Sequence, residues 1–155
     1  MALNYTKKTL NHFLKPKNIG EIKNADAYAE IGNMVCGDQL NFSIRVQKGK
    51  IKDVKFLSFG CASNIATASI MTEKVKGMSL EEAKNYDWNK IVADLGGLPQ
   101  QKVHCSIMAV EGLKKVIDNY EDKKDVKKDS KKELKKVMKK KSTKVSTKKS
   151  AKKKK

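Results

Sequence analysis

The sequence predicts an α+β fold: a small antiparallel three-stranded sheet packed against helices, with a long C-terminal helix and a disordered Lys-rich tail. Three observations carry this. Residues 39–46, "QLNFSIRV", alternate strictly between polar and apolar, the two-residue period of a half-buried strand. After Phe59 the apolar spacing lengthens to that of helices. Strands therefore come first and helices follow, the order expected of an α+β domain.

Each element has a local reason. "YTKKTLNHFLKPKN" reads as a short helix with Leu10, Phe13 and Leu14 on one face, ended by Pro16, which cannot donate to the helical ladder. "AYAEIGN" is a weak strand. In "QLNFSIRV", Leu40, Phe42, Ile44 and Val46 face one way. Gly49 marks a hairpin turn, and "IKDVKFLSF" is the returning strand. "GCASNIATASIMTEKVKG" places Ala62, Ala66 and Ile70 at helical spacing and stops at Gly77. Ser79 and Glu82 form a capping box for the next helix. "DWNKIVADLGG" is capped by Asp87 and ended by Gly96 and Gly97. "LPQQKV" is a loop. The last helix, "HCSIMAVEGLKKVIDNY", buries Met108, Ala109, Leu113, Val116, Ile117 and Tyr120.

Charge divides the chain of 155 residues into domain and tail. The net charge is +18, and 18 Lys against 5 acids from Glu121 onward put +13 of it in the tail. Residues 1–120 can bury a real core. Residues 121–155 contain no aromatic residue and too few apolar ones to offset the entropy of ordering. Nucleic-acid binding by this tail is the less favoured reading, because it lacks aromatics for stacking and arginines for bidentate base contacts. No stretch approaches the ~20 apolar residues of a membrane span. The N-terminus has no apolar run suited to a signal peptide. Three widely spaced cysteines argue against a disulfide framework. A cytoplasmic protein, a monomer or weak dimer, is expected.

The cysteines sit at the ends of elements. Cys36 precedes the "QLNFSIRV" strand, Cys61 stands between a strand and a helix, and Cys105 opens the last helix. Helix N-termini favour thiolate over thiol. Asp38 lies beside the first cysteine and His104 beside the third. Three thiolates with one oxygen or nitrogen suit Zn²⁺ or an iron–sulfur cluster. A lone cysteine is more often a small buried hydrophobe, and Asp38 reads equally as a turn-capping acid. Adjacent helical residues diverge by ~100°, so His104 and Cys105 are not expected to face each other as a catalytic dyad. His12 is expected at the surface, facing solvent or a partner.

"VCGD", "FGCASNIATASIMTEKVKGMSLEEA" and "LPQQKVHCSIMAVEGLKKVI" together resemble the three cysteine segments of the IscU/NifU-type iron–sulfur cluster assembly scaffolds. "HFLKPKNIGEI" resembles that family's N-terminal segment. The likeness covers roughly residues 5–120 and leaves the tail outside. It implies a scaffold and carrier, not an enzyme. The cargo would be a transient [2Fe–2S] cluster on Cys36, Cys61 and Cys105, with Asp38 and His104 as candidate fourth ligands. Zinc would bind there in the absence of iron. Sulfur would come from a cysteine desulfurase, with Cys105 as persulfide acceptor, and the cluster would pass to acceptor apo-proteins. A zinc-bound sulfur acceptor that stimulates a desulfurase is the alternative. Leu98, Pro99 and Lys102 match part of a segment read by an Hsp70-type chaperone. Ala62 departs from the glycine usual in the family, and Gln100 and Gln101 replace its second proline and valine.

Overall fold

Alternation in the sequence becomes a three-stranded antiparallel sheet of order β1-β2-β3. The computed structural model describes residues 4–125. The strands are β1 (Ala27–Asn33), β2 (Asp38–Gln47) and β3 (Lys50–Phe59). Around them lie α1 (Lys7–Leu14), α2 (Ala62–Val75), α3 (Leu80–Lys84) and α4 (Trp88–Asp94). A final helix, α5, is described over residues 103–125. The described residues up to Tyr120 form one compact unit. Residues 121–125, expected to open a disordered tail, instead continue α5, and from residue 126 onward the tail lies outside the described residues.

Turn chemistry sets the register. Lys48 and Gly49 both have positive φ, 53° and 74°, the pattern of the two-residue turn that matches strand twist. A bulge at Arg45/Val46 adjusts the pairing just before it. β1 and β2 are joined through residues 34–37, where Gly37 takes φ 71° and its N–H binds the Asn33 carbonyl at 2.8 Å. The side chains of Leu40, Phe42 and Ile44 then point inward with Val54 and Phe56, all buried. Burying each such side chain contributes about 1.5–3 kcal/mol. Helix α5 approaches this face closely: a Cβ at Gly112 would lie 2.5 Å from Phe42 Cε2 and 2.9 Å from Ile31 Cγ2.

Both sheet edges are covered, which removes a template for strand addition. On β1, the carbonyls of Tyr28 and Glu30 accept from Asn119 Nδ2 at 2.7 Å and Lys115 Nζ at 2.8 Å, both from α5. On β3, Phe56 N–H donates to the Asn18 carbonyl at 3.0 Å, and Gly20 N–H donates to the Phe56 carbonyl at 2.8 Å.

Helix α2 is central. Ser63, Asn64, Thr67, Ser69 and Thr72 are buried along with Ala66, Ala68, Ile70 and Met71. Thr67 and Thr72 satisfy their hydroxyls on the Asn64 and Ser69 carbonyls one turn back. The polar side of α2 receives α1. Ser69 Oγ lies 2.8 Å from His12 Nδ1 and accepts the Lys17 N–H at 2.8 Å. His12 is thus half-buried between helices, not surface-directed as expected; burial lowers its pKa, with Glu73 opposing. The apolar stripe of α1 does share one face, but that face is exposed: Leu10, Phe13 and Leu14 point outward, while Thr9 is buried.

The remaining helices follow their caps. Ser79 and Glu82 form the full capping box, and Asp87 accepts the Asn89 N–H at 2.9 Å. Gly96 and Gly97 end α4 with φ 74° and 105°. The expected loop 98–103 contains a short 3₁₀ turn, Gln100–Lys102, started by Pro99.

Candidate metal centre

Antiparallel pairing brings three chain ends together. β1 finishes at Asn33, β2 starts at Asp38 opposite it, and Phe59 at the end of β3 pairs with Gln39. Cys36 lies in the exposed β1–β2 turn. Asp38 is the first residue of β2 and is buried. Cys61 is the N-cap of α2 and half-buried. Cys105 lies in the first turn of α5, fully buried, with His104 before it.

The ligand atoms of Cys36, Asp38 and His104 lie within 4.8 Å of one another, and so do those of Asp38, Cys61 and Cys105. Asp38 belongs to both groups. Its Oδ1 accepts the backbone N–H of Cys61 at 3.2 Å. Its Oδ2 lies 3.5 Å from Cys61 Sγ and 3.8 Å from Cys105 Sγ. The two sulfurs are 3.8 Å apart.

Contrary to the expectation of divergence, His104 Nε2 lies 3.6 Å from Cys105 Sγ. The 100° rule describes Cβ directions, and an imidazole is long enough to fold back across that angle.

Electrostatics separate the two inner thiols. The hydrogen bond between the two sulfurs lowers the Cys61 thiol to about 6; burial opposes this, and the amide end of α2 at Asn64 assists. The same contact, reinforced by burial, pushes the Cys105 thiol up. The negative charge of Cys61 is the chief cause that raises the Lys102 ammonium, with burial opposing. Of the other segment residues, Leu98 packs against the core and Pro99 caps the 3₁₀ turn.

Two supporting residues escaped the sequence reading. A Cβ at Gly60 would lie 2.5 Å from Asn64 Nδ2 and 2.8 Å from Asp38 Oδ1, so only glycine leaves room for the carboxylate. Asn64 Nδ2 reaches Ser58 Oγ at 3.2 Å and the Gln39 carbonyl at 3.4 Å, tying α2 to the ends of β3 and β2. The signal for Gly60 was its place directly before a ligand-type cysteine. For Asn64 it was a lone amide in the first turn of an Ala-rich helix.

The donor set is chemically mixed. Three soft sulfurs favour zinc or iron–sulfur species, while a carboxylate is a harder and weaker partner for them. The two groups meet only at Asp38, which is common to both.

Comparison with known proteins gives a consistent result. Residues 4–127 match the family model described as NifU-like N terminal domain. The chain is 44% identical over 116 residues to iron–sulfur cluster assembly scaffold protein IscU 1 of Archaeoglobus fulgidus, covering 75% of this chain and 76% of that one. It is 42% identical over 122 residues to scaffold protein IscU of Aquifex aeolicus, covering 77% and 78%. Nitrogen fixation protein NifU of Azotobacter chroococcum is 38% identical, but the match spans only 40% of its length. Among solved structures, a NifU-like N-terminal protein from Brucella abortus shares the fold with a TM-score of 0.63 at 18% identity, covering 76% of this chain and 94% of that one.

Proposed function

The chain belongs to the NifU-like N-terminal domain family, and from that premise we propose that it is a scaffold for iron–sulfur cluster assembly. Residues 1–120 are the scaffold domain, and 121–155 are an appended basic segment. The cargo is a [2Fe–2S] cluster held by Cys36, Cys61 and Cys105, with Asp38 or His104 completing the iron. One observation supports this above the others: Asp38 is shared between the Cys36–His104 group and the Cys61–Cys105 pair.

The arrangement suits a carrier better than a permanent holder. Four thiolates would retain a cluster firmly; exchanging one for an oxygen or nitrogen ligand weakens that bond. Cys36 lies on an exposed turn, where an acceptor can reach its side of the cargo. Met34, Val35 and Phe59 expose apolar surface on the same turn and beside Gly60, the composition of a protein-docking rim. A cysteine desulfurase as sulfur donor and acceptor apo-proteins as recipients are the partner classes this reading requires. Cys105 is the persulfide acceptor, and Leu98, Pro99 and Lys102 are a segment open to chaperone recognition. The protein performs no catalysis of its own. Among the described residues no helix is long and apolar enough to cross a membrane.

Anaerobic reconstitution tests the reading. Supplying ferrous iron and a desulfurase with L-cysteine should give a coloured protein with sulfur-to-iron charge-transfer absorption, lost in the Cys36→Ser, Cys61→Ser and Cys105→Ser variants. A protein that stays colourless, keeps zinc and only accelerates the desulfurase would establish the zinc-bound acceptor instead.

A further inference from the structure

Thr67 is buried in the middle of α2, where a β-branched residue lowers helix propensity and a hydroxyl must find an acceptor. Its Oγ1 donates to the Asn64 carbonyl at 3.0 Å, one turn back, and reaches the Cys105 carbonyl of α5 at 3.4 Å. A hydroxyl has one proton, so that proton is shared between two helices. Thr72 is the contrast. It is equally buried and donates to the Ser69 carbonyl at 2.8 Å, but its other partner is Asn18 Nδ2, in the segment after α1. The turn before Thr67 is fixed as well, because Asn64 Nδ2 donates to Ser58 Oγ and the Gln39 carbonyl at the strand ends. The first two turns of α2 are therefore held to the sheet on one side and to the first turn of α5 on the other. Cys61 caps the first of these helices, and Cys105 lies in the opening turn of the second.

What this bracket fixes is the distance between sulfurs. Cys61 Sγ and Cys105 Sγ are 3.8 Å apart, and Asp38 Oδ2 lies 3.5 Å and 3.8 Å from them. Two thiolates bound at about 2.3 Å to one tetrahedral ion stand about 3.8 Å apart, and a carboxylate oxygen at about 2.1 Å stands ~3.6 Å from each. The three donor atoms already have that spacing. We propose that Thr67 is a positioning residue for this site: its hydroxyl, shared between α2 and α5, holds the two inner thiols at the separation that a single ion needs. Thr67 bonds to the backbone of Cys105 and not to its sulfur. Its loss therefore lets α5 shift against α2 while every donor atom stays in the chain. The inference rests on the preceding reading that these thiols hold metal, and adds what sets their spacing. Outer partners that fix metal ligands are typically worth about 10–100-fold in affinity.

The test uses the full chain, freed of metal by a chelator under anaerobic reducing conditions, with Co²⁺ as the probe. Cobalt enters zinc-type sites and reports on them by thiolate-to-metal charge transfer and by visible bands whose intensity follows tetrahedral geometry. Thr67→Val removes the hydroxyl and keeps the branched shape. It should weaken Co²⁺ binding about tenfold and reduce the visible absorption per bound ion. Thr67→Ala should do the same, so the result does not hang on accommodating the valine methyl. Thr67→Ser keeps the hydroxyl and should restore most of the affinity and the full spectrum. Thr72→Val loses an equally buried hydroxyl elsewhere on α2 and should leave both unchanged. Urea melts of the metal-free variants check that each is folded. Affinity and spectrum unaltered in Thr67→Val would overturn the inference, as would an equal loss in Thr72→Val or no recovery in Thr67→Ser. Unfolding of both hydroxyl-free variants would make Thr67 a residue of the fold and not of the site. A missing charge-transfer band in the unaltered chain would remove the thiols as metal ligands, and the inference with them. Reconstitution with iron and inorganic sulfide separates the two readings: a colourless product beside the expected cobalt series removes the scaffold and leaves Thr67 in its role.

Discussion

Asp38 holds Cys61 twice: Oδ1 accepts its backbone N–H at 3.2 Å, and Oδ2 lies 3.5 Å from its sulfur. The carboxylate is both the anchor of the α2 N-terminus and a donor atom facing the thiols. Removing it separates these roles. Asp38→Ala should lower stability by about 1 kcal/mol, the usual cost of a lost cap. Three thiolates and His104 remain, so a cluster should still assemble. It should persist longer and transfer to an acceptor more slowly, because the weak oxygen ligand that opens the cluster is gone. Cluster lifetime, transfer rate and thermal midpoint measured in one variant decide this. A lower midpoint with unaltered lifetime and transfer would leave Asp38 as a structural cap alone.

Gly60→Ala should damage the same anchor from the other side. The new methyl would lie 2.8 Å from Asp38 Oδ1 and 2.5 Å from Asn64 Nδ2. Overpacking of this kind costs roughly 1–3 kcal/mol. The variant should melt lower and bind Zn²⁺ more weakly, since Asp38 and Asn64 must both move. Unchanged zinc affinity by competition with a chromophoric chelator would show that the junction can yield without cost.

Much of this arrangement was legible beforehand because its causes are local. Alternation exposed the strands, Gly49 marked their hairpin and Gly77 the end of α2, and Ser79 with Glu82 announced a cap. The cysteines stood out because they fell at element ends. What could not be read depends on partners distant in sequence. A stripe of Leu10, Phe13 and Leu14 says that α1 has an apolar face, not that this face is buried. The docking face is instead the polar one, since α2 offers Ser69 and Thr72 there, and Asn18 Nδ2 reaches Thr72 Oγ1 at 3.2 Å. The nearness of His104 to Cys105 was hidden because the sequence gives residue order and not rotamer.

The α1–α2 contact predicts an inverted pattern of mutational costs. Ser69→Ala removes the partner of both His12 Nδ1 and the Lys17 N–H. Leaving buried polar groups unsatisfied costs about 1–3 kcal/mol. Leu14→Ser, at a side chain 73% exposed, should stay within about 0.5 kcal/mol. Urea melts of the two variants would check the order. A larger loss for Leu14→Ser would mean that the apolar face is covered in solution.

Thiol reactivity should depend on pH in a site-specific way. The Cys61 thiol is lowered to about 6 by its hydrogen bond with Cys105, so its thiolate fraction rises as pH increases through that value. In metal-free protein, alkylation of Cys61 by iodoacetamide should therefore reach half its plateau rate near pH 6. An unperturbed cysteine would do so near pH ~8.5. Cys105, enclosed and with its thiol pushed up, should remain unlabelled until the protein is denatured. Cys105→Ala should move the Cys61 profile upward, because that hydrogen bond is lost. A profile that does not move would assign the lowering to the α2 N-terminus instead.

Removal of residues 126–155 separates the charge of the chain from its chemistry. That segment carries 16 Lys against 2 acids, so its loss reduces the net charge from +18 to +4. All five candidate ligands, with Gly60 and Asn64 that support them, lie before residue 121. The shortened chain should therefore keep its thermal midpoint within about 2 °C, a change worth less than ~1 kcal/mol for a domain of this size. It should also reach the same cluster yield on reconstitution. What it should lose is retention on a polyanion such as heparin, which depends on many lysines acting together and falls steeply with salt. Measuring yield and retention on the same sample tests both halves. An intact midpoint with a reduced cluster yield would tie the basic segment to sulfur or iron delivery and end its description as an appendage.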